Sequence, residues 1–378
     1  MKNSNIKAIP AFCRTLLIVG FLCTGTLLGN TREKPKHVTP MIQATDLYHP
    51  HADPDDHFDL AGIYALNHWG LVDLKGILID YPGRAGLSDP DVMAVAQMNY
   101  ITGLAVPVTV GTSKTMKNRN DDADGADELD MQGINWLLNS LRNSPDPMVV
   151  NIVGTATNVA IALKKDPDLF RKKCRAIYLN AGSAFVGEDK RMEYNVELNP
   201  SAYAAIFDAP CPVYWLPCFN KMNQGIGEYG SFYQFSQGDV LPYLPKKVQN
   251  FFLFMLERKS GNNWFSWLNG QPEAELLSTH GKVMRSMWCT AGFLHAAGRK
   301  VTLDGEIVDL NSEKKSVCSF LPVEVTCDDH GSTTWALQQN STNRFIFHIE
   351  DLSKYQTAMA IALKSLLLHL PSQQSDNQ

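Results

Sequence analysis

Apolar and polar positions change period along the chain in a way that spells out alternating strands and helices. A short apolar run ends at Asp46, a polar loop holding His49, His51, Asp53, Asp55 and Asp56 follows, and helical spacing then links Phe58, Leu60, Ile63, Tyr64 and Leu66. Residues 74–81 (LKGILIDY) are a second strand-length run, 89–104 carry Val92, Val95, Ala96 and Tyr100 at helical spacing, and Val106 to Val110 read as a third strand. After a helix at 131–142, Met148–Val153 and 176–181 read as buried strands flanking a tight turn, Gly154–Asn158, and a helix at 159–164, and a further strand covers 210–217. This alternation predicts an α/β fold, an open, mostly parallel sheet flanked by helices. The C-terminal part predicts a buried helix at 283–298 with His295 as a core histidine, strands at 300–308, 321–327 and 344–349, and a last helix at 351–370.

Residues 225–269 interrupt this rhythm with many aromatics, which predicts a smaller helical and aromatic subregion. Trp264 and Trp267 fall in a stretch bounded by Gly and Asn, where a loop would offer a stacking surface for a planar ligand.

The N-terminus reads as a secretory signal over residues 1–30, with Lys2, Lys7 and Arg14 ahead of an apolar stretch from Leu16 to Leu28 that is short for a membrane span. The expected layout is signal 1–30, linker 31–40, one α/β domain 41–370 and a polar tail 371–378, in a protein secreted or sent to a periplasm. That compartment permits disulfides among Cys174, Cys211, Cys218, Cys289, Cys318 and Cys327, with Cys211–Cys218 and Cys318–Cys327 as the favoured local pairs. No CxxC occurs, which argues against zinc. The formal net charge of -5, without a basic stripe, argues against a nucleic-acid partner.

Chemistry enters where strands end. In an open α/β sheet, ligands gather beyond the carboxyl ends of the strands. Asp46, Asp53, Asp55 and Asp56, with His49 and His51, crowd the first such crest. Anionic oxygens converging on one loop repel one another, and a hard cation relieves the repulsion; capping the following helix is the plainer role for one or two of them. The acidic stretch 113–130 does not meet the EF-hand spacing and reads as a solvated loop. At the Gly154–Asn158 turn a backbone carbonyl, for instance that of Thr157, is placed either to donate to a cation or to serve an ordinary turn. Residues 192–207 put Glu193, Asn195 and Glu197 on one side of an extended run, ahead of a helix opened by Pro200. A carboxylate beside an amide suits a vicinal diol, and an exposed edge strand is the alternative.

Together these pieces resemble the inosine-uridine preferring nucleoside hydrolase family over roughly residues 41–370. The likeness rests on TDLYHPHADPDD, the turn Gly154-Thr155-Ala156-Thr157-Asn158, Lys165-Asp166-Pro167, Gly182-Ser183-Ala184-Phe185 and Glu193-Tyr194-Asn195, in that order. It implies hydrolysis of the N-glycosidic bond of a nucleoside or related ribosyl compound at Ca2+ held by Asp46, Asp56 and the Thr157 carbonyl. Asp46 would be the base; Asp53 or Asp55, with Glu193 and Asn195, would hold the ribose hydroxyls. The family's late His-Asp pair, an acid and a further calcium ligand, falls on Trp288-Cys289. The resemblance therefore leaves two readings, an exported hydrolase with a rearranged site in which His49, His51 or Asp55 replaces the lost groups, or a nucleoside- or sugar-binding protein without turnover. It also implies a homo-oligomer.

Overall fold

The computed structural model describes residues 38–47, 54–80, 90–185, 192–220, 227–259 and 263–371, all within the compact unit Pro35–Gln378. The first half alternates as expected: β1 (Thr39–Thr45), α1 (Asp55–Trp69), β2 (Val72–Ile79), α2 (Pro90–Thr102), β3 (Val108–Val110), α3 (Gln132–Asn143), β4 (Met148–Ile152), α4 (Thr157–Lys165), α5 (Pro167–Lys173) and β5 (Cys174–Asn180). Then come α6 (Tyr194–Leu198), α7 (Pro200–Ile206), β6 (Val213–Leu216), β7 (Tyr233–Ser236), α8 (Lys246–Leu256), α9 (Trp264–Asn269), α10 (Ala274–Gly281) and β8 (Met284–Met287). The chain continues through α11 (Thr290–Ala296), β9 (Arg299–Val301), β10 (Ile307–Asp309), β11 (Cys318–Cys327), β12 (Thr333–Leu337), β13 (Arg344–Ile349) and α12 (Leu352–Leu367).

Nine strands form one sheet in the order β12-β11-β13-β6-β5-β4-β1-β2-β3. It is parallel from β13 to β3 and antiparallel only where β11 meets β13 and β12. From β1 the chain builds outward through β2 and β3 on one side and through β4, β5 and β6 on the other. The direction of winding therefore reverses between β1 and β4, where crossover connections leave a crevice beyond the strand ends.

Alternation along β1 sends Met41 to one face and Ile42 and Ala44 to the other. The Met41 face is covered by α1, α2, α8, α11 and α12, and the Ile42 face by α3, α4, α5 and α7. Loop ends are pinned by short side chains: Asp166 accepts from Leu169 N before α5, Asn199 from Ala202 N before α7, and Asp351 from Ser353 N and Lys354 N before α12. In each case an orphan amide of the first turn gains a partner. No helix among the described residues is long and apolar enough to cross a membrane.

Five expectations are corrected, the first being 300–308, which is a hairpin of β9 and β10 and not one strand. The 283–298 segment is a strand and a helix, β8 and α11, with a break at Trp288–Cys289; a continuous apolar run does not reveal where the period changes from 2 to 3.6. Residues 194–198 are helical, so Glu193, Asn195 and Glu197 do not share the face of an extended strand. Trp264 and Trp267 belong to α9, not a loop. All six described cysteines are free thiols. Cys318 and Cys327 are the two ends of the single strand β11, about 30 Å apart at the rise of an extended chain, while a disulfide needs Cα atoms within about 7 Å. Cys211 and Cys218 likewise flank β6, and Cys211 instead neighbours Cys174 at the start of β5.

The helix that presents the acidic crest is held from below by Phe58, which is wholly buried, stacked on Phe252 at 4.2 Å and edge-on to Phe235 at 5.3 Å. Phe58→Ala is expected to lower the unfolding free energy by about 3–5 kcal/mol, read as a drop in the denaturant midpoint at unchanged slope.

Candidate functional site

A cavity of about 360 Å³ opens at the β1/β4 crevice, within the usual size range for a small ligand. Asp46, Asp55 and Asp56 line one side, Glu193, Asn195 and Glu197 another, and Val153, Asn180, Met192, Tyr194, Cys218, Phe219, Ser286, Trp288 and Cys289 complete it. Asp46 follows the last residue of β1, and Asp55 and Asp56 open α1. The two ends are tied together: Asp56 Oδ2 accepts the Thr45 hydroxyl, and the Asp46 amide lies 3.3 Å from the same oxygen.

Burial dominates the electrostatics. Asp46 is held well above the ordinary carboxylate range by desolvation and then by the neighbouring charge of Asp56. Asp56 rises to about 6, again through desolvation, offset by its hydrogen bonds from Asp46 and Thr45. Asp80, just past β2, rises to about 7 through burial although its Oδ2 accepts from Thr155 N at 2.6 Å and its Oδ1 from Asn158 Nδ2 at 3.0 Å. Asn158 Oδ1 in turn accepts from Thr112 N. These bonds clamp the ends of β2, β3 and β4 together. Gly154 fits into the clamp because it has no side chain: a Cβ there would lie 2.6 Å from Asp80 Oδ2 and 2.8 Å from the Asp46 amide nitrogen.

Across the cavity, Glu193 caps α6. Its oxygens accept from Asn195 N and Gly182 N, both at 2.9 Å, and from Val196 N at 3.3 Å. Those bonds fix the carboxylate and leave lone pairs free for a ligand hydroxyl. Asn195 Oδ1 and Asn180 Oδ1 are buried without hydrogen-bond partners. The second is aimed by its own amide group, whose nitrogen donates to Asn151 Oδ1 and to the Ile152 carbonyl. Two orphan acceptors in a polar cavity are unusual and match hydroxyl donors. The aromatic part of the lining is Trp288 and Phe219, with ring centres 6.0 Å apart; Phe232, outside the lining, meets Trp288 at 5.5 Å, and the Trp288 Nε1 is a buried donor without a partner.

The structure thus brings Asp46, Asp55, Asp56, Glu193 and Asn195 into one cavity. Asp53, with His49 and His51, lies outside the described residues. Thr157 does not line the cavity: it opens α4, so its carbonyl is spent inside the helix, and its hydroxyl accepts from Asn199 Nδ2 at 3.0 Å. The residue at that strand end that does line the cavity is Val153. Trp264 is also outside the lining; it meets Tyr100 of α2 edge-on. His295 bonds Tyr178 Oη through Nδ1 at 2.7 Å, and burial lowers it to about 4, as befits a core histidine.

Sequence reasoning missed Asp80, Asn180, Trp288 and Asp59. Asp80 carried the same signal as Asp46, an acid at the carboxyl end of an apolar strand. Asp59 stands three residues after Asp56 inside an apolar helix, where an acid with no reason to be buried is itself a sign.

Residues 51–251, more than half of the chain, match the family described as inosine-uridine preferring nucleoside hydrolase. The pyrimidine-specific ribonucleoside hydrolase RihA of Citrobacter koseri is 29% identical over 80 residues, which are 21% of this chain and 26% of the relative. The RihA of Salmonella typhi is 28% identical over a stretch of the same length. The match thus spans about a quarter of the length of these relatives. Among solved structures, the purine-preferring ribonucleoside hydrolase from Gardnerella vaginalis superposes with a TM-score of 0.54 at 15% identity, covering 87% of this chain and 99% of that one. An inosine-guanosine nucleoside hydrolase gives 0.50 at 15% identity, covering 86% and 99%. At such identities the structures speak for the fold, and the fold is shared over nearly the whole of each. The chain belongs to the inosine-uridine preferring nucleoside hydrolase family.

Proposed function

We propose that this protein hydrolyses the N-glycosidic bond of a nucleoside or a closely related ribosyl compound in the cavity at the β1/β4 crevice. The observation that carries the reading is the convergence there of a carboxylate cluster with Glu193, Asn195 and Asn180, one side suited to a cation and the other to a diol. The donor set fits a hard divalent cation: Asp46 and Asp56 present buried carboxylates whose mutual repulsion favours one. We take that cation to be Ca2+, held by Asp46 and Asp56 with a carbonyl at the end of β4. When bound, it would supply Lewis-acid polarisation of a water.

The remaining steps belong to the chain's own residues. Asp46, ionised beside a cation, takes the proton of the attacking water. Glu193 and Asn195 accept from ribose hydroxyls, and those bonds strengthen as the ring becomes oxocarbenium-like. Asn180 offers a third acceptor. Trp288 and Phe219 give the base an apolar face, and the Trp288 Nε1 donates to an acceptor on it. That assignment moves base contact from Trp264 to Trp288. Export through residues 1–30 is part of the same reading, and would place the enzyme where it meets extracellular nucleosides.

Release of free base and ribose from a nucleoside panel is the direct test. Asp46→Asn is expected to lower kcat by roughly 10²–10⁴. Asn195→Ala should raise KM about tenfold, the equivalent of one well-placed hydrogen bond. Trp288→Ala should also weaken binding, while Trp264→Ala leaves kcat and KM within about twofold, since a side chain distant from the substrate changes neither. Saturable ribose binding with no product from any nucleoside would replace this reading with that of a binding protein.

The buried acids also set a pH signature. Asp56 and Asp80 rise from 3.8 to about 6 and about 7 on folding, so between about pH 4 and 7 the folded, cation-free protein binds protons that the unfolded chain has released. Their stabilising contribution is complete below the unfolded value and is lost as pH climbs through the folded ones. Melting temperature in chelator should therefore fall between pH 4 and 7, and excess Ca2+ should restore it increasingly toward neutral pH. A chelated protein that becomes more stable over that interval would contradict the assignment.

A further inference from the structure

Cys174 opens β5, Cys211 stands just ahead of β6, and both are buried. The two strands are parallel neighbours with Ile177 opposite Val213. Carried back two residues, that register sets Cys211 opposite Arg175, one position from Cys174. Strict alternation would send Cys174 to the face of Ala176 and Tyr178, away from Cys211. A bulge prevents this: Met148 of β4 pairs with Cys174 and Val149 already with Ala176, so Arg175 is the extra residue. Cys174 is thereby turned onto the face of Ile177, where it joins Cys211 and Val213 in one apolar cluster. Strands about 4.8 Å apart, offset by one residue of about 3.3 Å, put the two Cα atoms roughly 6 Å from one another. The usual separation in a disulfide is about 5.5–6 Å. The two thiols are in hydrogen-bond contact.

We propose that Cys174 and Cys211 are a disulfide-forming pair that fastens the amino ends of β5 and β6 to one another. The oxidant is an external disulfide. Cys211, as thiolate, attacks one of its sulfurs and expels the other as a thiolate, which takes the Cys174 proton; the Cys174 sulfur then attacks that of Cys211 and releases the second external sulfur, which is protonated from solvent. One S–S bond forms as one breaks, and two electrons and two protons pass to the oxidant, which becomes two thiols. Cys211 is the nucleophile because its hydrogen bond with Cys174 and the charge of Arg344 draw it below the ordinary thiol range, against its burial. Arg344 is held at that post by bonds to the Phe207, Ala209 and Cys211 carbonyls. Both residues are shielded from solvent, so exchange takes place as the chain folds or when the strand ends open locally. The bond closes residues 174–211 into a loop that includes Asn180, Glu193 and Asn195, and so braces the wall of the cavity that they line. Neither thiol lines the cavity, and the pairing does not depend on what is hydrolysed there.

The test exposes the reduced, folded full chain to glutathione disulfide, unfolds it in guanidinium with N-ethylmaleimide to block the remaining thiols, and maps its peptides after digestion without reductant. The expected map links Cys174 to Cys211 and leaves Cys218, Cys289, Cys318 and Cys327 alkylated. It needs no variant, so a substitution that spoils folding cannot obscure the result. The oxidised protein should also melt about 5 °C above the reduced one, the effect of closing a loop of this length. Reductant should abolish that gap, and Cys174→Ser and Cys211→Ser should each lack it. Cys174 or Cys211 found alkylated, carrying glutathione or linked to another cysteine would overturn the proposal, as would a linked pair with no gain in Tm.

Discussion

Four buried carboxylates, Asp46, Asp56, Asp59 and Asp80, meet around the carboxyl ends of β1 and β2, and burial, joined at Asp46, Asp59 and Asp80 by the charge of a neighbouring acid, disfavours the ionised form of each. In a medium less polar than water, like charges a few ångströms apart repel by several kcal/mol, and each also forfeits its hydration. The fold accepts this strain because everything else about the crevice is fixed first. The reversal of winding between β1 and β4 creates the opening, Gly154 allows the two strand ends to close on one another, and Phe58 packs α1 so that its acidic end faces inward. A cation bound there, as proposed, would convert the strain into binding energy.

The opposite wall follows a different logic. There the polar groups are two neutral amides, Asn180 and Asn195, and one carboxylate, Glu193, which backbone amides hold in place without using all its lone pairs. Asn180 spends its amide nitrogen on β4, Glu193 is locked by three backbone amides, and Asn195 sits in the first turn of the helix that Glu193 caps. Groups held this way lose little freedom when a ligand arrives. The fixed hydrogen-bonding groups thus stand at the end of β5 and the start of α6, whereas the clustered acids stand at the ends of β1 and β2 and the start of α1.

Much of this was legible in the sequence, and the reasons are local. The strands β1, β2, β4, β5 and β6 are short apolar runs separated by helix-length segments, and a parallel sheet follows from that spacing alone. Asp46, Asp55 and Asp56 announce themselves as acids where a strand gives way to a helix. Other features required the third dimension. Glu193 and Asn195 face the cavity because of a helix cap, which two-residue spacing disguises as a strand. Trp288 turns into the cavity at a break between β8 and α11 that an unbroken apolar run conceals. Trp264, by contrast, had the right chemistry in the wrong place, since the glycine and asparagines around it bound a short helix packed on α2 and α8.

On the proposed function, this crevice seats a divalent cation and a ribosyl group side by side. Anomalous diffraction from crystals grown with Ca2+ and ribose would locate both. The expected density is a cation bonded to carboxylate oxygens of both Asp46 and Asp56 at about 2.3–2.6 Å, with the ribose hydroxyls on Glu193 and Asn195. A crevice that takes up neither, or a sugar seated against Trp264 with no cation at Asp46 and Asp56, would contradict that function.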